Sequence, residues 1–119
     1  MADSIAFLIT KAPYGAEEAF AGMRAALAML ASGNIGRATC VLVGDGTLNA
    51  VKAQNPDAIE MPSNVEAVNY LVDFEGEVYA VAEDLKERVG DVPVLDSVKL
   101  VPWERAREIL HEHKLVTTF

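Results

Sequence analysis

Five residues stand where apolar runs give way to glycine-containing turns. Lys11, Tyr14 and Gly15 follow Ile5-Ala6-Phe7-Leu8-Ile9, and Asp45 and Gly46 follow Ala38-Thr39-Cys40-Val41-Leu42-Val43. A cation, a phenol and a carboxylate in such turns could hold an anionic or nucleotide-like ligand, and glycine lets backbone approach it closely. Asp45 has a second reading, as the cap of a short helix after the turn, with Gly44 and Gly46 making the turn itself. Cys40 is the single cysteine and the one thiol available as a nucleophile. It lies three residues inside an apolar run, where burial would raise its pKa and make it inert. A working thiol is expected at a strand end or a helix start. His111 and His113 are two apart on a helical stretch, about 200° around its axis, so they cannot share one metal ion. They read as packed or solvated histidines, and no metal site is expected. The chain has no G-x-G-x-x-G turn and no Walker lysine motif, and no cofactor is expected.

The elements that must carry these residues follow from periodicity. Ile5–Ile9 and Ala38–Val43 are continuous apolar runs, the pattern of strands covered on both faces. A helix is expected over 16–32, with Phe20, Met23, Leu27 and Leu30 on one stripe and Ala19, Ala26 and Ala31 leaving room for close packing. Glu17 and Glu18 suit the positive end of its dipole, and Gly33 its C-terminal stop. One or two helical turns are expected over Thr47–Lys52, and a short extended piece over Ala58–Met61. Ser63 and Glu66 have capping-box spacing and open a second helix, with Val65, Val68, Leu71 and Val72 inward. Glu77–Val81 reads as a strand, Ala82–Arg88 as a short helix with Leu85 inward, and Val98–Val101 as another strand. Pro102 and Trp103 open the last helix, with Ala106, Leu110 and His113 on one stripe; Trp103 suits a core or a subunit interface equally. Leu115–Thr118 is a final strand. Alternating strands and helices predict a three-layer α/β/α sandwich around a mostly parallel sheet of about five strands. In such folds ligands sit beyond the carboxyl ends of the strands, which places Lys11 and Asp45 at one edge.

One domain over residues 1–119 is expected from the length, and half of the residues (51%) are hydrophobic, enough for a core. The net charge of −8, from 18 acidic and 10 basic residues, argues against direct nucleic-acid binding, which needs a basic stripe. Met1–Ser4 carries no basic n-region, and no apolar run approaches the roughly 20 residues that span a bilayer. No membrane association and a cytoplasmic location are therefore expected. A lone cysteine excludes an internal disulfide and a CxxC site within this sequence.

Ile5–Glu18 (IAFLITKAPYGAEE), the alanine-rich stretch after it and Val41–Gly46 (VLVGDG) resemble the DsrE/DsrF sulfur-relay family. The likeness is greatest to the DsrF or TusC branch, where a similar T-x-A-P-x-G turn precedes the helix. Val78–Arg88 (VYAVAEDLKER) and Ser97–Trp103, with the helix after it, resemble the DsrH or TusB branch. The resemblance implies a small cytoplasmic α/β protein that forms homo- or hetero-oligomers, typically hexamers of related subunits. It also implies sulfur chemistry: some subunits carry a cysteine persulfide during sulfur oxidation or tRNA thiolation, while others are structural partners. The acceptor thiol of active subunits aligns with Ala80–Asp84 here, where no cysteine occurs, and the thiol of DsrH-type subunits with the 16–32 region, which has none either. Cys40 matches neither place. An accessory, non-catalytic subunit of a sulfur-transfer complex is therefore expected, with related subunits and sulfur-carrier proteins as partners. Two alternatives stand beside it: a small-molecule binding or regulatory protein of the same fold using Lys11, Tyr14 and Asp45, and a sulfur carrier using Cys40.

Overall fold

The computed structural model describes residues 4–13, 18–33, 35–52, 54 and 64–119. Tyr14, Gly15, Ser63 and the expected extended piece Ala58–Met61 lie outside the described residues. Five strands form one sheet: β1 (Ser4–Ile9), β2 (Arg37–Leu42), β3 (Glu77–Val81), β4 (Lys99–Val101) and β5 (Leu115–Thr118). Their order is β4-β3-β2-β1-β5, and every ladder is parallel. Four α-helices are described: α1 (Glu18–Ala31), α2 (Asn64–Asp73), α3 (Ala82–Val89) and α4 (Trp103–His111). A 3-10 segment over Gly44–Ala50 stands where a short helix was expected from Thr47.

The period-two geometry of the strands divides the core in two. Ile5, Phe7 and Ile9 of β1, Ala38, Cys40 and Leu42 of β2, and Val78 and Ala80 of β3 face one way. They bury against Ala19, Met23 and Ala26 of α1 and Ala67, Val68 and Leu71 of α2. Val41, Tyr79 and Val81 face the other way, onto Ala106 and Ile109 of α4. The result is the expected α/β/α sandwich. Small residues bring α1 close to the sheet: Gly22 is buried, and a Cβ there would strike the Ile9 side chain and press on the Phe119 ring. Ala31 ends α1 and Gly33 follows at φ +75°, a backbone conformation that favours glycine.

Two expectations change in detail, and one open alternative closes. Val98 is buried but precedes β4, which is three residues long and exposed at Lys99 and Leu100. The buried stripe of α4 is Ala106 and Ile109, with Leu110 at its margin and His113 already in the turn beyond the helix. Trp103 is 43% exposed rather than core, and its backbone N–H donates to the Glu83 carboxylate.

Candidate functional site

The parallel register of β1 and β2 brings the chain after Ile9 and the chain after Leu42 to the same edge of the sheet. The N–H of Val43 donates to the Ile9 carbonyl at 3.0 Å, extending the ladder past the strand ends. Gly46 then passes so close to β1 that an added Cβ would collide with the Ile9 carbonyl. Fully buried Asn49 ties the edge together, its side-chain amide donating to the carbonyls of Lys11 (3.0 Å) and Gly46 (2.9 Å). Thr47 Oγ1, also buried, donates to the Gly44 carbonyl. Lys11 and Asp45 therefore share the edge, as the strand assignment requires.

Asp45 and Lys11 do not pair with each other. Arg88, from α3, reaches over the turn and donates from Nε to Asp45 Oδ1 at 2.8 Å, and from Nη1 to the Asp84 carbonyl at 3.1 Å. The Asp45 carboxylate holds the Arg88 guanidinium above its ordinary pKa. Asp84 accepts the Gly44 N–H at 2.8 Å. Asp45 is not a helix cap: the 3-10 segment begins at Gly44, its N-cap is Val43, and Asp45 lies within the first turn facing Arg88. The exposed Lys11 side chain makes no ion pair with any described residue.

Cys40 is elsewhere, in the middle of β2 between Phe7 and Val78 in register. It is completely buried among the apolar residues under α1 and α2, and burial pushes its thiol up to about 12. At neutral pH only a minute fraction of such a thiol is thiolate, and no solvent or partner protein reaches it in this conformation.

A second polar constellation was not foreseen, on the opposite sheet face near the amino ends of β2 and β3. Arg37 grips Glu77 from Nε at 2.7 Å, with Nη2 at 3.4 Å from the second carboxylate oxygen, and its Nη1 reaches Glu112 at 3.2 Å. Tyr79 donates its hydroxyl to Glu77 Oε2 at 2.7 Å, and Arg105 reaches Glu112 at 3.1 Å. The hydrogen bond from Arg37 holds the Glu77 carboxyl below its ordinary pKa, while Glu77 raises that of the Tyr79 hydroxyl. Beside this network, buried His113 is enclosed on both nitrogens. Nδ1 lies 2.6 Å from the Ile109 carbonyl and so carries the proton; Nε2, 2.8 Å away, accepts from the hydroxyl of fully buried Thr39. With both nitrogens engaged, His113 is a tether between β2 and the turn into β5. His111 is exposed, and no group of three potential metal ligands occurs among the described residues. The sequence signal for this network was the alternation itself: Arg37 and Thr39 share one face of β2, and Glu77 and Tyr79 the same face of β3.

This fold and these turns have known counterparts. Residues 3–92 match the DsrE/DsrF-like family. The chain belongs to that family. An uncharacterised protein of Methanopyrus kandleri, MK0008, is 35% identical over 99 residues, covering 82% of this chain and 78% of its own length. The crystal structure of the ychN protein from E. coli superposes with a TM-score of 0.88 over 98% of this chain and 99% of that one, at 20% identity. The second likeness establishes the sandwich as the DsrE-like fold. No described helix is long and apolar enough to cross a membrane.

Proposed function

We propose that this DsrE/F-like chain is an accessory, non-catalytic subunit of a sulfur-transfer complex, working beside related subunits that carry the persulfide. The observation that carries this reading is Cys40: the sole thiol of the sequence is buried at the centre of β2 and pushed up to about 12. A relay subunit must present a thiolate that donor and acceptor can both reach, because sulfur moves by attack of one thiolate on another sulfur. At the strand edge where the sheet could present chemistry, Asp45 is engaged by Arg88 and Asp84 by the Gly44 N–H. Such an edge is suited to holding shape against a neighbouring subunit. Proteins that exchange sulfur with the complex would then meet the neighbour's thiol rather than this chain.

Recovery of the tagged chain from its own cells, followed by intact mass of each co-purifying subunit, tests the reading. The expected result is a stoichiometric partner of the same family with a reactive cysteine that gains sulfur. Recovery without any such relative would overturn it.

A further inference from the structure

We propose that the β5 edge of the sheet is a pairing edge for a second copy of this chain, joined antiparallel about a twofold axis at Thr117. The proposal rests on the reading of the chain as an assembling subunit and names the surface and the register. The hydrogen bonds of β5 set that register. Phe119 donates its N–H to the Leu8 carbonyl at 2.9 Å and accepts from the Thr10 N–H at 3.0 Å. Since successive residues of a strand point their backbone groups to opposite sides, Leu115, Thr117 and Phe119 bond inward to β1. Val116 and Thr118 therefore aim both N–H and C=O out of the sheet, beyond which no described strand lies.

The two edges of the sheet are managed differently. At the β4 edge the strand is only three residues long, is stopped by Pro102, and carries Lys99 lying over the Tyr79 ring, devices that blunt an edge. β5 has no charge, proline or bulge: it reads Leu-Val-Thr-Thr, all four residues exposed, with Leu115 at 55% and Val116 at 48% on opposite faces. Such an edge is a template for another strand.

Symmetry and charge select the occupant. An antiparallel copy can meet this edge only in a register that pairs outward residues with outward residues. A twofold axis through Thr117 does so, setting Val116 opposite Thr118 of the other copy on both sides of the axis, with two exchanged bonds in each pair. It also places Thr117 against its own image and Leu115 against the partner's Phe119, apolar and hydroxyl pairs that stabilise sheets. The contact is isologous and closes at two copies instead of growing into a filament. The chain carries −8, so copies of it must meet where carboxylates are absent or neutralised. The strand has none; Lys114 flanks it, and Glu112, just before, is already held by Arg37 and Arg105.

The directions of the N–H groups supply the test. Val116→Pro and Thr118→Pro remove outward N–H groups and leave the bonds to β1 in place, whereas Thr117→Pro removes an inward one. Val116→Lys adds a charge at an exposed position. Sedimentation of the purified wild-type chain at micromolar concentration should give an assembly of at least twice the 12.8 kDa chain mass. Val116→Pro and Val116→Lys should weaken that association about ten-fold or more, with far-UV circular dichroism unchanged. Hydrogen exchange should show the Val116 and Thr118 amides protected in the wild type and fast in Val116→Lys. A monomeric wild type, rapid exchange at both amides, or an assembly size unmoved by either folded variant would each overturn the proposal. Recovery of the chain from cells without a sulfur-carrying relative would leave these results intact, so the two readings fail separately.

Discussion

The hydroxyl of Thr39 and Nε2 of His113 lie 2.8 Å apart, although 74 residues separate them in sequence. Both side chains are buried, and the bond closes a path from the centre of β2 through the His113 ring to the Ile109 carbonyl. Because α4 and β5 flank that turn, the pair fixes the helix layer and the sheet edge against each other.

Cutting this tether orphans a buried polar group. Thr39→Val leaves the His113 acceptor bare and should cost about 1–3 kcal/mol, and His113→Phe, which strands the buried Thr39 hydroxyl while the Ile109 carbonyl keeps the Glu112 N–H, about as much. Urea unfolding of the two single variants and the double variant gives the coupling between them. Additive losses would show that the bond carries no interaction energy.

Glu77 predicts how stability responds to acid. Its folded pKa is lowered, with the Arg37 hydrogen bond as the main cause. A depressed carboxyl stabilises the fold fully above its unfolded value, near the ordinary 4.5, and that contribution is lost as pH falls through the folded value. Thermal midpoints of the wild type should thus fall below about pH 4.5, and Glu77→Gln should be less stable at pH 7 but show a shallower acid decline. An equally steep acid decline in Glu77→Gln would place the sensitive carboxylate elsewhere.

Two glycines should differ sharply on substitution. Gly46→Ala drives a Cβ into the Ile9 carbonyl, backbone that cannot turn aside, and should cost about 3 kcal/mol or more. Gly33→Ala meets no neighbouring atom and suffers only from φ +75°, about 1 kcal/mol. Chemical denaturation of the two variants checks the order.

Much of this architecture was legible because its strands are unambiguous. Ile5–Ile9 and Ala38–Val43 are apolar runs and Glu77–Val81 is apolar after its first residue; each is too long for a turn and too short for a helix, and each stands in the middle of the sheet. Parallel strands then placed Lys11 and Asp45 at one edge without any contact being known. What stayed hidden depended on which distant elements meet. Arg88 lies 43 residues from Asp45, and its reach over the turn follows from where α3 seats, which no local pattern encodes. The same holds for Arg37, whose partners Glu77 and Glu112 are 40 and 75 residues away. The 3-10 segment began three residues ahead of the expected helix, at Gly44, because a glycine at φ +55° turns the chain as soon as it leaves β2. Cys40 was legible in part: a thiol inside an apolar strand favours the core, but whether its face borders a crevice or a subunit contact depends on α1 and α2, which cover it.

That burial also fixes how Cys40 tolerates change. Cys40→Ser places a hydroxyl among apolar neighbours and should cost about 1–3 kcal/mol while leaving assembly intact. A thiol-reactive probe should label the native chain far more slowly than the chain in denaturant, and equal rates would show that the strand opens readily.

The most direct measurement is the intact mass of the native chain after incubation with a sulfane sulfur donor. A buried thiol raised to about 12 predicts an unchanged mass in the folded protein. The gain of one sulfur atom on the native wild type, absent from Cys40→Ser, would contradict the account and make this chain a carrier in its own right.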